Sequence, residues 1–182
     1  MRIIGGEAKG RHVLYPPKCR ARPTADKIKE ALFSILGSLR GDSFLDAYSG
    51  AGNVGIEALS RGAARAVFIE KDAALARYAK ANLLLCGFTD KSRILSITMD
   101  KAVSLLHKQG TSFNIIFADP PYDKGLVGKT LGYLADVSIV AEDGVVIFQH
   151  STREAGALDK AEELILFDQR KYGDTMLSFL KF

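Results

Sequence analysis

The sequence predicts an α/β fold, a mostly parallel sheet with helices on both faces. Three observations carry that prediction. From residue 43 onward, short apolar runs alternate with stretches whose apolar residues recur at helical spacing, the pattern of successive βα units. A glycine-rich turn, SGAGNVG, joins the first of these runs to the first helix of the series. A later run, FNIIFA, leaves through DPPY, where two prolines must end a strand in a stiff, open turn because proline cannot donate to a sheet ladder.

Taken in order, RIIGG and GRHVLY read as short strands of a basic β-ribbon, and PPKCRARP as an irregular loop. Thr24 is placed to cap the helix TADKIKEALFSILGSL, whose Ile28, Ala31, Leu32, Ile35 and Leu36 share one face. SFLDAY is the first buried strand, and NVGIEALSRG a helix closed by Gly62. AVFIE is the second strand, followed by a helix between the cap Asp72 and the stop Gly87. SRILSIT, FNIIFA and GVVIFQH are the third, fourth and fifth strands, separated by the helices KAVSLLHKQG and GLVGKTLGYLAD. The tail EELILFDQRKYGDTMLSFLKF reads as two strands turning near KYGDT, a hairpin that would add an antiparallel strand at one edge. The 182 residues form one domain on this reading, a basic extension over 1–40 and a core over 41–182.

Composition excludes several classes. No apolar run approaches the roughly 18 residues of a membrane span, and the N-terminus lacks a signal-peptide apolar region, which implies a cytoplasmic protein. Cys19 and Cys86 are far apart, and His12, His107 and His150 have no neighbouring ligand at metal spacing, so no metal site is expected. The chain's net charge of +4 is unevenly spread: residues 1–40 carry +6 and the remainder −2. A basic arm beside a near-neutral body fits a segment that meets phosphates, and Arg2, Lys9, Arg11, Lys18 and Arg20 are its candidate contacts to a phosphate backbone.

Gly50, Gly52 and Gly55 have the G-x-G-x-x-G spacing between a strand and a helix, where the backbone can lie against a ligand. Glu70 stands twenty residues after Gly50, at the end of the next strand, where a carboxylate can accept both hydroxyls of an adenosine ribose; it could also cap the following helix. Asp46 favours S-adenosylmethionine over a dinucleotide, because a carboxylate there would face an ammonium and a sulfonium and would repel a pyrophosphate; alternatively it only orders the glycine loop. Asp100, at the end of the third strand, is placed either to bind the adenine amine or to cap the next helix. The residues Asp119, Pro120, Pro121 and Tyr122 then border the cofactor's methyl group. Asp119 and the Pro120 carbonyl can accept the hydrogens of an exocyclic amine, and Tyr122 offers a face to a base taken out of its stack.

The blocks RIIGG…KGR, RPTADKIKEALFSIL, FLDAYSGAGNVGIEALSRGA, FIEKD, DPPY and YGDT together resemble the RsmD family of bacterial 16S ribosomal RNA guanine-N2 methyltransferases, over nearly the whole chain. The resemblance implies a class I S-adenosylmethionine-dependent (Rossmann-like) fold with a seven-stranded sheet whose last strand is antiparallel, and a substrate that is a 30S subunit or assembly intermediate. It implies that the glycine loop, Glu70 and Asp100 bind cofactor, that Arg22 and Thr24 border its pocket, and that Asp119 to Tyr122 hold the guanine. Family members often read FAGSGALG where this chain reads YSGAGNVG, which keeps the glycines and changes finer pocket contacts. The competing readings are adenine-N6 methylation of RNA or DNA, which also uses DPPY, a nicotinamide-dependent oxidoreductase, and a non-catalytic RNA-binding protein. Asp119 suits the adjacent N1–H and N2–H donors of guanine better than the donor beside an acceptor that adenine presents.

Overall fold

A computed structural model describes residues 2–17, 25–158 and 164–181. Its centre is a seven-stranded sheet in the order β3-β2-β1-β4-β5-β7-β6. The strands are β1 (Ser43–Ala47), β2 (Arg65–Ile69), β3 (Ser92–Leu95), β4 (Phe113–Ala118), β5 (Val140–Ser151), β6 (Ile165–Tyr172) and β7 (Thr175–Lys181). The first five run parallel, and β7 is antiparallel to both β5 and β6. The hairpin expected from the tail is present, but its antiparallel strand is not at the edge: β7 lies between β5 and β6, and β6 is the edge. The burial pattern explains the choice. Leu177, Phe179 and Leu180 of β7 are 0–1% exposed, whereas Ile165 and Phe167 of β6 are 61% and 50% exposed. The strand with two apolar faces takes the inner place.

Alternation along the strands divides the core. Phe44, Phe68, Ile115, Phe117 and Phe179 face α1 (Asp26–Leu36), α2 (Asn53–Ser60) and α3 (Ala73–Cys86). Leu45, Val67, Ile116, Val146 and Leu180 face α4 (Met99–Lys108) and α5 (Leu126–Ala135). α3 begins and ends as its sequence dictates: Asp72 accepts from the N–H groups of Ala74 and Leu75, and Gly87 closes it in the left-handed conformation. β5 starts four residues before GVVIFQH, because Val140 pairs with Phe113 ahead of a register shift.

α1 departs from its expected face. Ile35 is 42% exposed, while Lys29 and Phe33, one position round the helix, are 0% and 1% exposed. Phe33 stacks on Phe44 at 6.5 Å between centroids, with the Arg61 guanidinium 4.9 Å from the Phe33 ring centre. Lys29 finds enough acceptors beneath the helix to be buried, as described below. The N-cap position is held by Ala25; Thr24 lies outside the described residues.

The N-terminal ribbon is reduced to one antiparallel bridge between Arg2 and His12, closed by the Ile3 N–H to Arg11 O and Gly10 N–H to Ile3 O bonds. It is not two regular strands, because its outward groups bond the body instead: Ala8 N–H donates to Ser60 Oγ, and Leu14 N–H to Asn82 Oδ1. Ile3, Ala8 and Val13 point inward, leaving Arg2, Lys9 and Arg11 exposed. Among the described residues no helix is long and apolar enough to cross a membrane.

Candidate active site

The strand order reverses between β1 and β4, and in open α/β sheets the crevice beyond such a switch point receives ligands. Ala47 pairs with Ala118, so the loops that follow them leave side by side, and the Asp119 N–H points to Ala47 O at 3.4 Å. One loop is YSGAGN and the other DPPYD. The site is built where they meet.

Asp46 lies on the α2 side of β1 and is 2% exposed. Its Oδ2 accepts from the Gly55 N–H at 2.7 Å. α2 has glycine at its N-cap and no capping side chain, so Asp46 supplies from β1 the acceptor that the helix start lacks. A side chain at Gly55 could not exist there, since a Cβ would stand 2.4 Å from the Phe68 ring and 3.0 Å from Asp46. Burial, partly opposed by the Gly55 bond and reinforced by the charges of Asp119 and Glu70, pushes the Asp46 carboxyl up to about 8. The carboxylate expected from sequence is therefore largely protonated at neutral pH without a bound cation. Three acids at the ends of three strands are close enough here to feel one another.

Glu70 spends one oxygen on each side of the site. Oε2 accepts from the Gly50 N–H at 2.9 Å and Oε1 from the Asp72 N–H at 2.8 Å, so it ties the glycine loop to the start of α3. A carboxylate has about four lone-pair positions, so two acceptor positions remain for incoming hydroxyls. Gly50 has φ +57° with open space where a Cβ would be, and Ser49 Oγ is buried without a partner among the described residues. A cradle of open backbone with unspent acceptors suits a polar adenosine-type ligand.

Asp100 is exposed in the first turn of α4. A hydrogen bond from the Thr98 hydroxyl, with help from backbone N–H groups, holds its carboxyl below the usual range. Its charge reaches Tyr48 in the loop after β1. Arg22, Thr24, Lys18 and Arg20 lie outside the described residues. The flanks of that stretch are both attached beside the glycine loop: Asn82 Nδ2 donates to Leu14 O and to Ala51 O, and Lys29 Nζ donates to Asn53 Oδ1 at 2.9 Å. Of the remaining basic candidates, Lys9 is exposed, Arg11 Nη1 donates to Leu85 O, and Arg2 pairs with Asp26 at 3.3 Å.

Tyr122 is half-buried, its hydroxyl accepting from Gln149 Nε2 at 3.1 Å, with the Thr175 side chain close enough to stabilise the phenolate. Burial raises its phenol, and the Asp119 charge adds to the shift. Asp119 thus acts electrostatically on both Asp46 and Tyr122.

Sequence reasoning missed Tyr48, Gln149 and Thr175. Tyr48 and Asp123 have φ +62° and +57°, and they are the only non-glycine residues at positive φ among those described. Such strain persists where surroundings over-determine it, and here both cases flank the crevice. Tyr48 is held by a 2.6 Å hydroxyl bond to Thr130 on α5. No local sequence signal marks a left-handed tyrosine. His150, to which no chemistry falls, is a satisfied core residue: Nδ1 donates to Ser151 O, and Nε2 pairs with Ser178 Oγ. Among the described residues no group of three His, Cys, Asp or Glu is placed to hold a metal ion.

A family model described as "Conserved hypothetical protein 95" matches residues 1–181. The chain is 37% identical over 147 residues to "Ribosomal RNA small subunit methyltransferase D" of Escherichia coli (strain K12), covering 80% of this chain and 72% of that one. Two solved structures superpose over almost the full length. A hypothetical protein of Thermus thermophilus has a TM-score of 0.84 at 30% identity, covering 100% of this chain and 99% of its own. The yhhF protein of Escherichia coli has a TM-score of 0.85 at 29% identity, covering 99% and 96%.

Proposed function

Because the chain belongs to the conserved hypothetical protein 95 family, the RsmD family of the sequence resemblance, and has the class I S-adenosylmethionine-dependent methyltransferase fold, we propose that it methylates the exocyclic N2 amine of a guanine in 16S ribosomal RNA, within a 30S subunit or assembly intermediate. The observation that carries the proposal is the adjacent exit of the glycine loop and the DPPY loop at the sheet's switch point, with Asp119 close enough to act electrostatically on both Asp46 and Tyr122.

S-adenosylmethionine supplies, when bound, a methyl group made electrophilic by its sulfonium. The chain's residues position and polarise. Glu70 and the backbone at Gly50 and Gly52 receive the ribose side, Asp100 the adenine side, and Asp46 the cationic end, with Arg22 and Thr24 at the pocket border. A positive charge beside Asp46 favours its ionised form, so the acid gains its charge as the cation arrives. Asp119 and the Pro120 carbonyl accept the two hydrogens of the target amine, which concentrates electron density on nitrogen, and Pro121 stiffens the turn. Tyr122 supports the base. As the amine nitrogen bonds to the methyl carbon, the carbon–sulfur bond breaks to leave a neutral thioether, and the nitrogen would give its proton to the Asp119 carboxylate. Rate acceleration then rests mainly on orientation and electrostatics.

The test is incubation with isotopically labelled S-adenosylmethionine and either naked 16S RNA or 30S particles, followed by nucleoside identification. N2-methylguanosine is expected. N6-methyladenosine would replace the guanine reading, and absence of transfer to either substrate would overturn the proposal.

A further inference from the structure

The polar groups at the far end of the Tyr122 ring have no part in the chemistry above. Gln149, 5% exposed on β5, donates from Nε2 to the Tyr122 hydroxyl, and the side chain of Thr175, the first residue of β7, is close enough to oppose the rise of the phenol. Beyond them, Gln149 Oε1 and both carboxylate oxygens of Glu154 are buried with no hydrogen-bond partner among the described residues. Glu154 lies in the 3-10 turn Thr152–Ala157 after β5, close enough for its charge to raise the Tyr122 phenol.

Burying acceptors without donors costs free energy, so this cluster is not the arrangement that maximises stability. Its geometric effect is specific. A phenol bonded to a side chain on an inner sheet strand keeps its ring from swinging with the loop that carries it. The other end of that loop is restrained from the same turn, where Arg153 Nη2 meets Asp123 Oδ2 at 2.6 Å. Stacking alone would be served by any aromatic ring; the hydroxyl adds a fixed position. Small displacements of a bound reactant cost rate steeply, so a fixed platform has direct value for methyl transfer.

Resting on the reading that Tyr122 supports the target base, we propose that Gln149 is a positioning residue: through the Tyr122 hydroxyl it fixes the ring on which the base lies. The test compares Gln149→Leu, Gln149→Glu, Tyr122→Phe and the Gln149→Leu/Tyr122→Phe double variant. Gln149→Leu and Tyr122→Phe should each lower kcat roughly ten-fold while leaving S-adenosylmethionine affinity within about two-fold. The double variant should be no worse than Tyr122→Phe alone, because that substitution already removes the oxygen that Gln149 bonds. Gln149→Glu should recover much of the loss, since a carboxylate accepts the phenol's hydrogen. Wild-type kcat in Gln149→Leu, or losses that multiply in the double variant, would overturn the assignment.

A measurement without turnover separates this from failure of the underlying reading. With 13Cζ-labelled tyrosine, the Tyr122 resonance should titrate at higher pH in Gln149→Leu than in the wild type, because a donor to the phenolate has been lost. If the wild type methylates no ribosomal RNA, the functional reading falls. An unchanged Tyr122 titration in Gln149→Leu shows that Gln149 does not hold the ring, and overturns the positioning role whether or not the enzyme turns over.

Discussion

Lys29 Nζ lies 3.4 Å from Glu57 Oε2, and neither side chain is exposed to solvent. The ammonium also donates to Arg2 O at 2.7 Å and to Asn53 Oδ1, while Glu57 accepts from the N–H groups of Ile4 and Gly5 and from Arg61 Nε at 2.8 Å. One buried pair therefore fastens the N-terminal segment and α1 to the helix that follows the glycine loop. Burial holds the Lys29 ammonium below the ordinary lysine value, with Glu57 opposing that shift.

Lys29→Met should leave Glu57 short of a counter-charge in the interior. Removing one partner of a buried pair costs about 3–5 kcal/mol, and the surviving Arg61 contact argues for the lower end, a melting-temperature loss on the order of 10 °C. Thermal unfolding followed by circular dichroism checks this. A melting temperature equal to the wild type would mean that the pair contributes nothing net.

Asp46 sets a pH dependence of opposite sense to that of most carboxylates. Its folded pKa of about 8 exceeds its unfolded value of 3.8, so the folded chain holds a proton that the unfolded chain releases. This contribution to stability is complete below pH about 4 and declines as pH rises through about 8. Asp46→Asn should flatten that decline across pH 5–9 in a melting series. Calorimetry at pH 7 in buffers of different ionisation enthalpy should also show proton release on binding S-adenosylmethionine, and less with S-adenosylhomocysteine, which lacks the sulfonium.

Glu70→Ala and Asp119→Ala should fail differently. The first removes charge-assisted hydrogen bonds of about 1.5–3 kcal/mol each and should weaken S-adenosylmethionine binding in a calorimetric titration. The second should bind the methyl donor nearly normally and lose methyl transfer under single-turnover conditions. Equal effects on binding and transfer in both variants would contradict separate roles for the two acids.

Neutralising Lys9, Arg11, Lys18 and Arg20 together should weaken RNA affinity and flatten its salt dependence by roughly 0.7–0.9 per lost phosphate contact. Arg2 is excluded because its guanidinium pairs with Asp26. Filter binding across a salt series, with cofactor affinity as the control, gives the slope. An unchanged slope would place the RNA elsewhere on the surface.

The parts legible in the sequence are those whose chemistry is local. Gly50, Gly52, Glu70 and Asp119 stand out because loop geometry fixes their spacing from a strand end, and Asp72 and Gly87 because caps act on their own helix. Lys29 was invisible because a lysine in a helical pattern reads as solvated; its burial depends on acceptors from residues 2, 53 and 57. Gln149 and Thr175 meet Tyr122 only after β7 pairs with β5, a contact that no spacing rule contains. The inner position of β7 was missed for a related reason: a hairpin's sequence states that two strands pair, and says nothing of which one docks.

That inner position constrains how the chain assembles during synthesis. β6 is translated before β7 yet has no other partner in the sheet among the described residues, and β5 has an open edge until residues 175–181 arrive. A parallel β5–β6 pairing would be available first in time. The two-residue connection at Gly173 and Asp174, with Gly173 at φ +62°, lets β6 and β7 zip locally on a microsecond scale, far faster than the ribosome adds residues. Hairpin closure is thus fast enough to precede docking on β5, so the order of translation need not dictate the order of the strands.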